Sequence, residues 1–339
     1  MNLFRIVLKR TNKRKYESSP LRDALTVLLF VFLLPYVISC LWGHVGQEAA
    51  LLFIQDEEDD EWIDMMYEVR LCGEWGSKRM NMQEYLIWKL KFVMPCDEED
   101  GMAIKYEEEA LKAQAVLLRT QLWENYRKGN ENTLTLQDDA FFHYGENQYS
   151  RETETLYRNA VCKTDGIYLS YEKEPIKAAY FPVSNGRTRN ASEIVDGESY
   201  PYLISIECGQ DILAKDYQSR VSIEKEKYCS LVRTLFAMED TKEEVWNRLE
   251  LTYDSAEYVK EASVNGHTCS GEIFRSALGL ASSSFYAEWG EREVVFFVKG
   301  VGHGLGMSQY DANERAVSGE TFDEILANYF FQAELVKIE

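Results

Sequence analysis

The stretch "GVGHGLGMSQY", residues 300–310, places a glycine at every second position around a single histidine, His303. An apolar run precedes it and a helix-like segment follows, so the pattern predicts a strand-to-helix turn whose backbone can approach a ligand closely. Amides at the start of that helix could bind an anion such as a carboxylate. Two interpretations of His303 stay open: a polar group lining a ligand site, or a side chain satisfied by backbone inside a sharp turn.

A second polar group lies in "YFPVSNGRTRNASE", residues 180–193. The Asn-Gly pair predicts a turn directly after a strand, and the residues around it carry hydrogen-bond donors. Arg187 is suited to bind a carboxylate through two parallel hydrogen bonds. The alternative is an ordinary hairpin turn with solvated arginines.

The composition excludes several classes of protein. A formal net charge of −20 over 339 residues disfavours nucleic acid as a partner. Seven cysteines form no CxxC pair, and residues 127–163 offer only His143 and Cys162, too few for a closed zinc site. We therefore expect no metal and no cofactor.

The N-terminal residues predict a membrane anchor. Residues 1–23 are basic, and residues 24–43, "ALTVLLFVFLLPYVISCLWG", form an uncharged run of bilayer-spanning length. Basic residues on the N-terminal side place that end in the cytoplasm as an uncleaved signal anchor. Cleavage with lipid attachment at Cys40, as in a lipoprotein, is the alternative. Residues 44–61 are then an acidic stalk, and residues 62–339 an extracytoplasmic domain.

Within residues 62–339 the pattern predicts a single α+β domain, with two lobes as one possible arrangement. Helical spacing of apolar residues indicates a long helix over 107–126. Residues 166–171 and 176–184 have the composition of strands around a short turn, and residues 292–300 that of a buried strand. Thr321 and Glu324 form a capping box at the start of a last helix. Helices and strands do not alternate regularly, which favours α+β over a doubly wound sheet.

Four motifs together resemble the stage II sporulation protein D (SpoIID) family, which includes the amidase enhancer of cell-wall turnover. They are "EALKAQAVLLRT", "YFPVSNGRT", "YPYLISIE" and "GVGHGLGMSQY" continuing into "SGETFDEILANYF", in the family's order and approximate spacing over residues 82–330. The resemblance implies a peptidoglycan lytic transglycosylase. Such an enzyme needs one carboxylic acid, which protonates the glycosidic oxygen and then removes a proton from the sugar's own 6-hydroxyl. Burial must raise the pKa of that acid.

The chain departs from the family at that acid. The family carries a Glu-Met-Pro triplet before the long helix, whereas this sequence has Val93, Met94 and Pro95. Valine cannot exchange a proton, so the catalytic residue is unknown. Glu98, Glu108 and Glu109 are the nearby acids that could substitute if the chain delivered one within roughly 3 Å of the same oxygen.

These observations predict a membrane-anchored protein that binds peptidoglycan glycan strands in cell-wall remodelling, with weak or absent transglycosylase activity. Its substrate-binding residues are expected to be Ser184, Gly186, Arg187, Thr188, His303 and Gln309. One alternative is an active transglycosylase with a displaced acid. Another is a non-enzymatic amidase enhancer or scaffold, whose partner would be a cell-wall amidase or another hydrolase.

Overall fold

The structure is a computed structural model that describes residues 62–74, 76–96, 106–129, 133–144, 150–194 and 200–338. Residues 61–339 form one compact unit. The predicted anchor at 24–43, the stalk at 44–61 and the alternative lipid site at Cys40 lie outside the described residues. Within the described part, no helix combines the length and apolar character needed to cross a bilayer.

Helices and strands are mixed along the chain, which confirms the predicted α+β class. The helices of the described residues are α1 (Met82–Val93), α2 (Glu108–Lys128), α3 (Asp139–Tyr144), α4 (Arg151–Cys162), α5 (Lys225–Phe236), α6 (Lys242–Val245), α7 (Gly271–Leu278), α8 (Gln309–Val317) and α9 (Phe322–Tyr329). Short 3-10 helices lie at Ile63–Met65, Ala191–Glu193 and Gly209–Leu213.

The strands form several small sheets instead of one large one. They are β1 (Glu68–Gly73), β2 (Gly76–Asn81), β3 (Thr133–Gln137), β4 (Ile167–Tyr171), β5 (Glu174–Pro175), β6 (Tyr180–Phe181), β7 (Gln218–Glu224), β8 (Leu249–Tyr253), β9 (Val259–Val264), β10 (His267–Ser270), β11 (Phe285–Trp289), β12 (Glu293–Lys299), β13 (Met307–Ser308) and β14 (Glu334–Lys337). Their orders are β2-β1-β3, β10-β9-β8, β11-β12-β7, β13-β6 and β14-β4-β5.

Local signals explain the long elements. The small residues Ala110, Ala113 and Ala115 of α2 are fully buried, which lets neighbouring elements pack close to this central helix. The predicted capping box of α9 is present, with Thr321 as N-cap and Glu324 at the third position. The predicted strand over 292–300 is β12.

The predicted strand over 176–184 is wrong for most of its length. Only β6, Tyr180–Phe181, is extended within a sheet, and it pairs in parallel with β13 instead of with β4. The partners of β4 are β5 and the distant β14. Strand composition identified the extended segment, but it carries no information about which distant strand pairs with it.

The buried apolar residues form three clusters. One surrounds α1 and α4 and includes Leu86 and Tyr157. A second joins the inner face of α2 to α9. The third, which includes Phe274 and Phe296, lies between the sheet β11-β12-β7 and the helices α5 and α7. The candidate site lies where the glycine-rich turn leaves β12 and enters α8.

Candidate functional site

The glycine-rich turn lies directly against the segment 179–189. The Val301 amide donates to the Val183 carbonyl at 2.7 Å, and the Arg189 amide donates to the Gly304 carbonyl at 2.8 Å. Gly306 has a φ of +75°, and a Cβ added there would overlap the Ala179 carbonyl oxygen. The glycines therefore allow two backbone segments to touch, and the two motifs that suggested a ligand site form one structural unit.

A buried carboxylate joins the two segments. Asp211 accepts a hydrogen bond from the Ser184 amide at 2.8 Å and one from the Ser308 hydroxyl at 2.9 Å. Burial raises the pKa of Asp211 to about 6, against the hydrogen bonds from Ser184 and Ser308, which lower it. Sequence reasoning missed this residue, since "CGQDIL" contains no pattern that marks a buried acid.

Hydrogen-bonding groups at the start of α8 have partners within the protein itself. Its N-cap residue Ser308 donates to Asp211, and the Tyr310 amide donates to the Pro182 carbonyl at 3.1 Å. An internal carboxylate and a carbonyl therefore occupy part of the anion site that was predicted at this helix start.

Gln309 connects this unit to the end of α1. Its side-chain amide donates to the Val93 carbonyl at 3.1 Å and to the Gln114 side chain at 3.1 Å. Val93 is half-buried and packs on the core around α1. The structure therefore brings the position of the expected catalytic acid next to the glycine-rich turn, although the side chain there is a valine.

His303 is half-buried and held by the turn. Its Nδ1 atom accepts a hydrogen bond from the Leu305 amide at 3.1 Å, and its ring lies 5.6 Å from that of Phe181. Burial lowers the pKa of His303, and the positive charges of Arg275 and Arg189 act in the same direction, while Glu272 and a hydrogen bond with the Tyr180 backbone oppose them. The lowered pKa favours the neutral imidazole, and the residue is partly open to solvent.

The two arginines of the turn have different environments. Arg187 is exposed, with 46% of its side chain accessible, and the nearest carboxylate, that of Glu207, lies 4.0 Å away. Arg189 is 1% exposed and donates to Asp254 at 2.6 Å and to Glu272 at 3.0 Å. Arg187 is thus available to a ligand, whereas Arg189 holds the turn in place.

Other predicted binding residues have structural partners. Ser184 and Thr188 are buried, and the Thr188 hydroxyl donates to the Ile204 carbonyl at 3.0 Å and accepts from the Ile206 amide at 2.9 Å. Gly186 donates its amide to the Ser184 hydroxyl at 3.0 Å, and a Cβ at Gly186 would meet nothing within 4 Å. Of the six predicted residues, Arg187, Gly186 and His303 therefore reach solvent, while Ser184, Thr188 and Gln309 support them.

Several known proteins are similar to this chain in sequence. Residues 77–171 match the family model "Stage II sporulation protein" of the SpoIID family. Stage II sporulation protein D of Bacillus amyloliquefaciens is 29% identical over 262 residues, which cover 74% of this chain and 72% of that protein. The Bacillus subtilis stage II sporulation protein D is also 29% identical, over 263 residues, with the same two coverages.

The chain is similar to proteins of the stage II sporulation protein D family over most of its length. A further relative is the amidase enhancer of Bacillus subtilis, 27% identical over 293 residues, which cover 71% of this chain and 39% of that protein. The family model spans the end of α1, where Val93 lies, and all of α2.

Of the three acids considered as replacements for the expected catalytic glutamate, two are ion-paired and one lies outside the described residues. Glu98 lies outside the described residues. Glu108 binds Lys163 at 2.7 Å and Lys112 at 3.4 Å; burial raises the pKa of Glu108, but these two lysines outweigh it and hold the pKa below its usual value. Glu109 binds Lys112 at 2.6 Å and accepts from the amide of Phe322. Ion-paired carboxylates are poor proton donors at neutral pH.

The six cysteines in the described residues are free thiols, and no three His, Cys, Asp or Glu side chains in those residues cluster as metal ligands. The His143 side chain is outside the described part. The prediction that this chain needs no metal stays a prediction.

Proposed function

We propose that the protein binds the glycan strands of peptidoglycan outside the cell and acts in cell-wall remodelling during sporulation, with weak or absent lytic transglycosylase activity. Its relatives are named stage II sporulation protein D and amidase enhancer. In this proposal residues 24–43 anchor the chain in the membrane, and residues 62–339 face outward. The lipoprotein alternative at Cys40 leads to the same tethered location.

The observation that carries the proposal is Val93. The described residues beside it are organised, since Gln309 donates to its carbonyl and the turns at 184–188 and 300–306 pack on each other. A valine at this place can neither donate nor accept a proton, so general acid catalysis lacks its central group. An organised surface without the acid supports binding without bond cleavage.

Arg187 and His303 are the side chains proposed to contact the glycan. Muramic acid carries a carboxylate on its lactyl group, and an exposed guanidinium can bind that group through two parallel hydrogen bonds. Among the described residues, the Glu207 carboxylate makes only a long ion pair with Arg187, at 4.0 Å. The imidazole of His303, held by the Leu305 amide, contributes a partly apolar surface beside Phe181.

Binding to peptide-free glycan strands tests the proposal. The full-length chain should bind purified strands, and Arg187→Ala should weaken that binding about tenfold, as the loss of a charge-assisted hydrogen bond predicts. His303→Ala should weaken it to a smaller extent. Arg248→Ala removes a different exposed arginine and serves as the matched control. Equal affinities for the natural chain and Arg187→Ala would contradict the proposed surface.

Two alternatives have separate signatures. The relative named amidase enhancer favours a non-enzymatic role in which this protein presents glycan to a cell-wall amidase or stimulates it. Faster release of stem peptides by an amidase in the presence of this chain would support that role. A true transglycosylase with a displaced acid would instead generate anhydromuramyl ends without any added enzyme.

A further inference from the structure

The sheet β11-β12-β7 has one face in the core and one outer face. Val294, Phe296 and Val298 of β12 are almost fully buried against α5 and α7. The alternate residues of the strand, among them Phe297 and Lys299, lie on the other face, since successive side chains of a strand point to opposite sides. Phe297 is half-buried on that outer face.

Three outer-face side chains form a stack across the strands. Tyr286 pairs with Phe297, which pairs with Arg220 in the neighbouring strand. The rings of Tyr286 and Phe297 are 4.9 Å apart and nearly parallel, at 10°. The Arg220 guanidinium lies 5.6 Å from the Phe297 ring centre on the other side. The order Tyr286, Phe297, Arg220 leaves one tyrosine ring face at the end of the stack.

That ring face is at the edge of the sheet and is accessible. Tyr286 belongs to the edge strand β11 and is 48% exposed. Tyr253 is 46% exposed, and its hydroxyl donates to the Phe285 carbonyl at 3.2 Å. A second exposed tyrosine therefore lies beside the same edge, next to the residue that precedes Tyr286.

Charge is divided along this outer face. Arg220 and Lys299 lie towards the end where β12 enters the glycine-rich turn, and the Arg220 guanidinium lies over the Phe297 ring. The acids Glu224, Glu288 and Glu293 lie towards the opposite end. The end of the face that carries Tyr286, Phe297, Arg220 and Lys299 is called the aromatic end. In a chain of net charge −20, it is a local cationic surface, complementary to an anionic ligand.

The aromatic end is continuous with the candidate site. The Gly300 amide donates to the Tyr217 carbonyl at 2.7 Å, and the Tyr217 hydroxyl donates to the Asn185 carbonyl at 3.0 Å. Tyr217 directly precedes β7, and Asn185 is two residues from Arg187. One surface therefore runs from Arg187 past Tyr217 to the stack.

We infer that the stack of Tyr286, Phe297 and Arg220 is a second saccharide subsite that takes a carboxylate-bearing sugar of the strand bound at Arg187. The C–H face of a pyranose ring packs on the free ring face of Tyr286, since the electron-rich ring attracts the weakly positive hydrogens. Arg220 and Lys299 bind the carboxylate of an adjacent sugar. This inference rests on the proposed function and extends it to longer strands.

The test compares strand lengths and carboxylate content with the full-length chain. The probes are a peptide-free muramyl tetrasaccharide, peptide-free strands of more than ten sugars, and a chitin oligosaccharide of matched length, which lacks the lactyl carboxylate. Tyr286→Ala and Arg220→Gln should weaken binding of the long strands about fivefold to tenfold and leave the tetrasaccharide unaffected. Arg220→Gln should also reduce the preference for muramyl over chitin strands.

Two controls separate the possible failures. Glu288→Ala changes an exposed residue of the acidic end of the same face and should not lower affinity. Arg187→Ala should weaken binding of short and long strands alike. Unchanged long-strand affinity in Tyr286→Ala and Arg220→Gln would overturn the second subsite and leave the proposed function intact. Failure of the natural chain to bind any strand would overturn both.

Discussion

The side-chain amide of Gln309 donates a hydrogen bond to the backbone carbonyl of Val93 at 3.1 Å, across 216 positions of sequence. This bond joins the start of α8 to the end of α1 and fixes position 93 beside the glycine-rich turn. The resemblance to the family predicts an acid at that position, where this chain has a valine. The Gln309–Val93 hydrogen bond organises the described residues around it.

Val93→Glu tests whether that framework can still support chemistry. Because Val93 is half-buried, a carboxyl there can be partly desolvated, which favours the protonated form that a general acid needs. We expect anhydromuramyl products from Val93→Glu at about 100-fold or more above the natural chain. Mass spectrometry of peptide-free strands incubated with each protein measures this.

Val93→Gln is the matched control, since it has the same shape and no proton to donate. Products from the glutamate variant alone would mean that the groove is intact and that the native role is binding. Products from the natural chain would show a displaced acid and contradict the proposal. If neither the natural chain nor Val93→Glu releases anhydromuramyl products, the glycan-binding assay decides between a glycan-binding protein and a scaffold.

Gln309→Leu should destabilise the protein and separate α1 from the turn. The substitution leaves the Val93 carbonyl and the Gln114 side chain without their partner in a buried place, which costs about 2 kcal/mol. Chemical denaturation measures the free energy of unfolding. Asn125→Ala removes an exposed amide that donates to the Gln121 carbonyl and should change it by less than about 0.5 kcal/mol. Equal effects of the two variants would argue against a fixed Gln309–Val93 contact.

The two arginines of the turn should differ sharply in their effect on stability. Arg189→Met leaves the buried Asp254 carboxylate unpaired and should cost about 3–5 kcal/mol of unfolding free energy. Arg187→Met changes an exposed side chain and should cost less than about 0.5 kcal/mol. Adding Asp254→Asn to Arg189→Met should recover part of the loss, because it removes the orphaned charge. Similar melting temperatures for the two single variants would disprove this division of roles.

Local sequence patterns predicted the elements that depend on near neighbours. The long helix, the strand β12 and the capping box of Thr321 and Glu324 each follow from side chains within a few residues of one another. The α+β class followed from the irregular succession of these elements. The prediction of a strand over 176–184 was wrong for most of its length. The partner of β6 is β13, more than a hundred residues later, and composition does not specify a distant partner.

Local sequence patterns also fail to predict the environments of the polar residues of the site. The turn at 184–189 carries many hydrogen-bond donors, and the sequence pattern predicted a ligand-binding role for Arg187 but no role for Arg189. Their difference arises from Asp254 and Glu272, which lie far along the chain and reach only Arg189. Asp211 was missed for the same reason, because its burial depends on Ser184 and Ser308 from two separate motifs.

Asp211 should make the stability of the protein depend on pH. Its pKa is raised from 3.8 to about 6 by burial, so the folded chain binds a proton more tightly than the unfolded chain does. The stabilisation is fully present below about pH 3.8 and is lost as the pH rises through about 6. From the size of this shift, the loss is at most about 3 kcal/mol.

Asp211→Asn removes this dependence, because an amide of the same shape keeps an oxygen for the Ser184 amide and has no proton to lose. Unfolding free energies measured at pH 4 and pH 7 for both proteins isolate the contribution of this one group, since all other titrating groups are shared. We expect the natural chain to lose more stability than the variant as the pH rises. A common pH dependence would show that Asp211 titrates near its ordinary value, and that the bridge between the Ser184 and Ser308 segments is solvated.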